Sequence, residues 1–142
     1  MAGYSGTPLP AKLGIRPGAR IGLRNAPPGF RTLLEPWPED AVVTGPRARE
    51  LDLVVLFATT ARELEKEFRR GAAALVPAGT LWIGWPKKAS GVATDLAEDR
   101  VRQIGLAAGL VDVKVCAIDD TWSGLKFVVR SKDRPGRKTA AS

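Results

Sequence analysis

Eight residues of this sequence have side chains suited to holding a ligand: Asn25, Phe30, Thr59, Trp85, Lys87, Lys88, Ser90 and Trp122. Lys87 and Lys88 bring two ammonium groups to a possible anion, and Ser90 adds a hydroxyl donor beside them. Trp85 and Trp122 present indole faces on which a planar ligand could stack. Asp119 and Asp120 add carboxylates able to take a proton. Plainer readings stay open beside these. The lysines could be solvated, or could pair with Asp119 and Asp120. The indoles could simply cover the end of a sheet, and hairpin tips commonly carry solvated aspartate.

The composition removes other chemistries. The chain has no histidine and one cysteine, so histidine acid–base catalysis, a tetrahedral zinc site and an internal disulfide are excluded. Cys116 lies between Val115 and Ala117 and reads as a buried strand residue. Nothing in the spacing of Asp112, Asp119 and Asp120 specifies a metal.

The net charge of +7 is gathered at the ends. Residues 1–35 and residues 130–142 each hold five basic residues and one acid, which leaves the body close to neutral. Nucleic-acid proteins more often carry a basic face within the fold. Association with nucleic acid through the two basic termini is therefore the weakest functional reading. No apolar run approaches the roughly 18 residues that a bilayer span needs. The first residues, MAGYSGTPLPAK, lack the basic start and apolar stretch of a secretory signal. A cytoplasmic location is expected.

The elements that must position these residues follow from punctuation and periodicity. Leu9 to Ile15 allows one or two helical turns, and Arg16-Pro17-Gly18 is a turn. Arg20 to Arg24 is a short strand, Pro28 to Glu35 a brief helix, and Ala41 to Thr44 a weak strand. Leu51 to Ala58, LDLVVLFA, is an almost continuous apolar run of the kind covered on both faces in parallel sheets. Thr60 and Glu63 form a capping box, with Ala61, Leu64, Phe68 and Leu75 following at helical spacing. Pro77-Ala78-Gly79 predicts a turn and Leu81 to Trp85 a strand. Gly84 to Thr94 is a loop. Asp95 and Glu98 form a second capping box for a helix carrying Leu96, Val101, Ile104 and Ala108 on one face, ended by Gly109. Leu110 to Ile118 and Leu125 to Arg130 form an antiparallel hairpin around a turn at residues 119–124.

Such alternation predicts one α/β domain over residues 1–130: a three-layer, Rossmann-like arrangement with a mainly parallel sheet of about six strands, ending in the hairpin. Residues 131–142 are expected to be a basic, disordered tail. In a sheet of this kind ligands sit beyond the carboxyl ends of the strands, and that rule gathers the eight candidates at one edge.

Three segments resemble class I methyltransferases. LGIRPGARIGL resembles the lead-in to their first strand. LDLVVLFATTARELEKEFRRGAAALVPAGTLWIGWP resembles a later strand, helix and strand, and VDVKVCAIDDTWSGLKFVVR their closing hairpin. The resemblance covers most of residues 13–130 and implies spatial strand order 2-1-3-4-6-5. WPKKASGVATD and DVKVCAIDDTWSGLK also resemble a family of small bacterial proteins known only as a domain of unknown function.

The sequence departs from the methyltransferase pattern after its first strand. Arg24-Asn25-Ala26-Pro27-Pro28-Gly29 holds one late glycine, and its two prolines lack backbone donors. No acidic residue near Thr44 stands ready for ribose hydroxyls. No cofactor is therefore expected, and S-adenosylmethionine in particular is not expected to bind. The favoured expectation is a non-enzymatic binding or regulatory module using the sheet edge, with an unknown small anion or a protein as partner. The alternative is a small enzyme acting on an anionic substrate there, with a lysine as electrostatic clamp and an aspartate as base. Oligomeric state stays open.

Overall fold

The computed structural model describes residues 8–130; the expected tail lies outside the described residues. Helix α1 (Leu9–Leu13) leads into β1 (Arg20–Arg24), and a short α2 (Phe30–Leu33) leads to β2 (Val42–Val43). Then come β3 (Leu51–Phe57), α3 (Ala61–Ala73), β4 (Leu75–Pro86), α4 (Glu98–Ala107), and the hairpin β5 (Leu110–Ala117) and β6 (Trp122–Val129). The six strands form one sheet in the order 2-1-3-4-6-5. β2, β1, β3 and β4 run parallel, and β6 pairs antiparallel with both β4 and β5. Architecture and strand order are those expected.

Alternation along the strands divides the core in two. Val54, Leu56, Leu81 and Ile83 point to the face covered by α3 and α4, where Leu64, Phe68, Val101 and Ile104 meet them. Leu53, Val55, Phe57 and Trp82 point to the other face, against Leu13, Ile15, Phe30 and Leu34. The indole N–H of Trp82 donates to the carbonyl of Leu13 at 2.9 Å and fastens the end of α1 to the sheet.

Thr60 caps α3, its hydroxyl accepting from the amide of Glu63 at 3.1 Å. The Glu63 carboxylate accepts from the Thr59 amide. The second capping box does not form. Helix α4 begins at Glu98 with no side-chain cap, and Asp95 instead accepts from the Ala61 amide at 2.7 Å. Asp95 thus ties the loop after β4 to the first turn of α3, because that turn carries free donors of its own. The expected turn at Pro77-Ala78-Gly79 is also absent. β4 runs through it, with Leu51 paired to Leu75 and Leu53 to Thr80. The extra residues are absorbed as a bulge, which leaves no ladder donor for Pro77 to break. Trp122 to Gly124 belong to β6 rather than to the turn, paired with Pro86 to Gly84.

Where α4 crosses the sheet, a Cβ on Gly105 would overlap the ring of Phe127, which is fully buried. Gly105→Ala should therefore lower stability by about 2–3 kcal/mol, read as a reduced urea midpoint with an unchanged slope.

On the outer side of α4, Arg102 Nε donates to Asp112 at 2.9 Å, and its remaining nitrogens reach Glu98 and Asp99. The guanidinium hydrogen bond holds the Asp112 carboxyl below its ordinary value of 3.8. A carboxyl with a lowered folded-state pKa contributes stability above its unfolded value, and loses it as pH falls through the folded value. Asp112→Asn should accordingly flatten the decline of the melting temperature below about pH 4; thermal melts from pH 2 to 6 would check it.

Candidate functional site

The carboxyl ends of β1, β3, β4 and the start of β6 meet at one edge, and the loop after β1 turns there. Asn25 leaves β1 with φ of 57°, a left-handed conformation that L-residues other than Asn, Asp and Gly seldom adopt. Its amide nitrogen Nδ2 donates to the Phe57 carbonyl at 3.4 Å, joining the ends of β1 and β3. Gly29, with φ of 85°, starts α2. Among the described residues no acceptor meets the amides of Ala26 and Gly29. The two prolines remove donors at positions 27 and 28 only, so the loop keeps two unpaired N–H groups.

Beneath the loop lies an aromatic floor. Phe30, 2% exposed, meets Phe57 edge to face with ring centres 4.9 Å apart. Phe57 in turn meets Trp122 at 5.1 Å. Phe30 supports the loop from below, and Trp122 is the half-buried end of the row. Phe57 was hidden to sequence reasoning inside the apolar run of β3; its place in that run says only that it is buried.

The remaining candidates do not all gather. Trp85 is 5% exposed and packs in the α3/α4 core, on the opposite face of the sheet from Trp122. The register explains the separation: Trp85 pairs with Ser123, so Trp122 falls on the alternate side. Thr59 is held at both ends of its backbone, its amide by Glu63 and its carbonyl by the hydroxyl of Thr94 at 2.6 Å. The Ser90 hydroxyl donates to the Lys87 carbonyl at 2.7 Å and accepts from the Val92 amide, so it shapes the loop around a short 3-10 turn, Lys88–Ser90. The Lys87 amide donates to the Thr121 carbonyl at 2.8 Å, which sets this loop beside the hairpin turn.

The expected alternative of lysine–aspartate pairing does not occur. Asp119 Oδ1 accepts from the amides of Thr121 and Trp122 at 2.8 and 2.7 Å, which closes the turn on itself. Lys87 and Lys88 form no ion pair among the described residues. Asp120 is exposed on the same turn. The carboxyl edge therefore carries two unpaired loop amides, an indole, two lysines without an ion pair and the exposed carboxylate of Asp120. Lys12 joins its rim, with Nζ donating to the Ala117 carbonyl at the end of β5 at 3.0 Å. Burial raises the Cys116 thiol above its ordinary value, which keeps it protonated.

No family model matches the chain, and no curated protein matches it. Solved structures do. A possible exported protein from Bordetella parapertussis aligns with TM-score 0.58 and 13% identity over 80% of this chain, which spans only 62% of that protein. A SAM-dependent methyltransferase from Aquifex aeolicus aligns with TM-score 0.61 and 13% identity, over 82% of this chain and 85% of that one. Magnesium protoporphyrin IX methyltransferase from Synechocystis PCC 6803, solved with bound SAM, aligns with TM-score 0.57 and 10% identity, over 85% and 74%. Other aligned methyltransferases hold S-adenosylmethionine or S-adenosylhomocysteine, and another aligned structure is a complex with a methyltransferase activator.

These comparisons correct two expectations. The non-enzymatic module rested on the missing histidine and the missing glycines, and the absence of a methyl donor on the missing glycines and the missing acidic residue near Thr44. Four of the aligned structures are methyltransferases that depend on or hold S-adenosylmethionine or S-adenosylhomocysteine, so they support the enzyme alternative over the module. The physical reason is local: the prolines remove donors only at positions 27 and 28, the amides of Ala26 and Gly29 meet no acceptor among the described residues, and Asn25 turns the chain in the left-handed region. No helix of the described residues is long and apolar enough to cross a membrane. At 10–14% identity the shared feature is the fold: this chain has the Rossmann-like fold of the class I methyltransferases.

Proposed function

We propose that the chain is a small S-adenosylmethionine-dependent methyltransferase acting on a small anionic molecule at the carboxyl edge of its sheet. The observation that carries this reading is the left-handed turn at Asn25, set at the end of β1 in a sheet with the methyltransferase strand order. The unpaired amides of Ala26 and Gly29 would hold the donor, with Phe30 and Phe57 fixing the loop that carries them. S-Adenosylmethionine supplies a methyl group made electrophilic by its sulfonium. Lys87 and Lys88 attract the anionic acceptor and orient it, Trp122 stacks against it, and Asp120 takes the proton that its nucleophile loses. Asp120 is the base of the pair because Asp119 Oδ1 is held by the amides of Thr121 and Trp122.

Calorimetry with S-adenosylmethionine tests the reading. A dissociation constant at or below the micromolar to submillimolar range is expected, and no heat at millimolar donor would overturn it. Lys87→Ala with Lys88→Ala should leave donor affinity within twofold and cost under about 1 kcal/mol of stability. The same double change should weaken acceptor binding at least tenfold once an acceptor is found by screening anionic metabolites for methylation.

A further inference from the structure

On one face of the sheet helices α3 and α4 lie over β3, β4 and β6, and of the β1 residues on that face Arg24 is reached by α3 through Glu67, while Gly22 packs against Leu51 and Val54. The connection from β2 to β3 folds across beside them. Between this connection and the end of α3 runs a groove of about 540 Å³. Five arginines line it: Arg24, Arg47, Arg49, Arg69 and Arg70.

Their positions are built, not incidental to an exposed helix. Arg24 Nη2 donates to Glu67 at 2.9 Å and Arg70 reaches the same carboxylate at 3.4 Å. The hydrogen bond from Arg24 lowers the Glu67 pKa and keeps it charged. Arg49 donates to the Ala73 carbonyl at the end of α3. Arg47 and Arg69 are exposed and meet no carboxylate among the described residues. Of the five arginines that line the groove, two share the carboxylate of Glu67, one holds a backbone carbonyl, and Arg47 and Arg69 are uncommitted among the described residues. Arg24 Nε is in addition buried without a hydrogen-bond partner among the described residues, while Nη2 of the same group holds Glu67.

We propose that this groove binds an oligophosphate anion: a compact ligand carrying two or more phosphates. Guanidinium matches phosphate oxygens through paired, planar hydrogen bonds, and the number of arginines exceeds what a single phosphate can satisfy. None of the lining residues is aromatic, so the groove lacks the stacking surface that single-stranded nucleic acid uses. The groove shares no lining residue with the candidate donor edge, although Arg24 directly precedes Asn25 at the end of β1, and the inference does not use the methyl-donor reading.

The test uses the full chain and inorganic tripolyphosphate in calorimetry at low salt, with a rise in melting temperature as a second readout. Saturable binding is expected, falling steeply as salt increases. Arg47→Ala with Arg69→Ala, both exposed and unpaired, should keep the unliganded melting temperature and lose at least tenfold in affinity. Lys87→Ala with Lys88→Ala should bind tripolyphosphate as the unchanged protein does. Inorganic phosphate should bind at least tenfold more weakly. The proposal is overturned if tripolyphosphate gives no saturable signal, if the lysine pair rather than the arginine pair removes it, or if phosphate binds equally well. It is overturned in favour of a nucleic-acid surface if a twelve-nucleotide single strand binds more tightly than tripolyphosphate through the same arginines.

Discussion

Trp85→Ala is expected to destabilise the protein by about 4 kcal/mol, a fall in melting temperature of roughly 10–15 °C for a domain of this size. The indole is 5% exposed and packs among the residues under α3 and α4. Truncation would leave a cavity between the sheet and both helices, which β4, paired on both sides, cannot close by shifting. Trp122→Ala should cost less, because that ring is half-buried and its main partner is the single edge of Phe57. Thermal melts of the two variants separate a core tryptophan from an edge one. A Trp85→Ala protein melting within about 3 °C of the original would mean that the ring is not a core element; that limit corresponds to about 1 kcal/mol.

The contrast between the two tryptophans also marks how far the sequence could be read. The apolar run at residues 51–57 and the hairpin at 110–129 state their own structure, because continuous burial and turn residues act locally. Strand order followed from those runs together with the resemblance they carry. Register does not act locally. Whether Trp85 and Trp122 share a face depends on Trp85 pairing with Ser123, and a shift of one residue would reverse the answer. Asp95 misled for a related reason. Its spacing to Glu98 fits a cap for α4, but the amide of Ala61 lies nearer once the fold closes. The arginine groove was out of reach for the same cause, since Arg24, Arg47 and Arg69 are distant in sequence and come to line one groove only in the folded chain. Pro77 shows the converse. A proline that should end a strand is tolerated where a bulge has already removed its pairing.

Asn25→Val is expected to weaken methyl-donor binding at least tenfold, while Asn25→Gly should retain it. At φ of 57° a β-branched residue meets the carbonyl of its own backbone, a strain of roughly 1–2 kcal/mol. The loop would relieve that strain by leaving the left-handed conformation, and the amides of Ala26 and Gly29 would then no longer point from one turn. Glycine suits the conformation with no strain and loses only the contact from Nδ2 to the Phe57 carbonyl, long at 3.4 Å. Stability should change by less than about 1 kcal/mol for glycine, and S-adenosylmethionine affinity by less than fivefold. For valine the affinity should fall at least tenfold. A crystal structure of the valine variant should show residue 25 moved to negative φ. If both variants bound the donor as the unchanged protein does, the turn would have no part in holding it. If glycine bound more tightly than asparagine, the Nδ2 bridge would be a restraint on the loop rather than a support for it. The turn matters to the methyltransferase proposal because it stands at the end of β1 and carries the unpaired amides of Ala26 and Gly29.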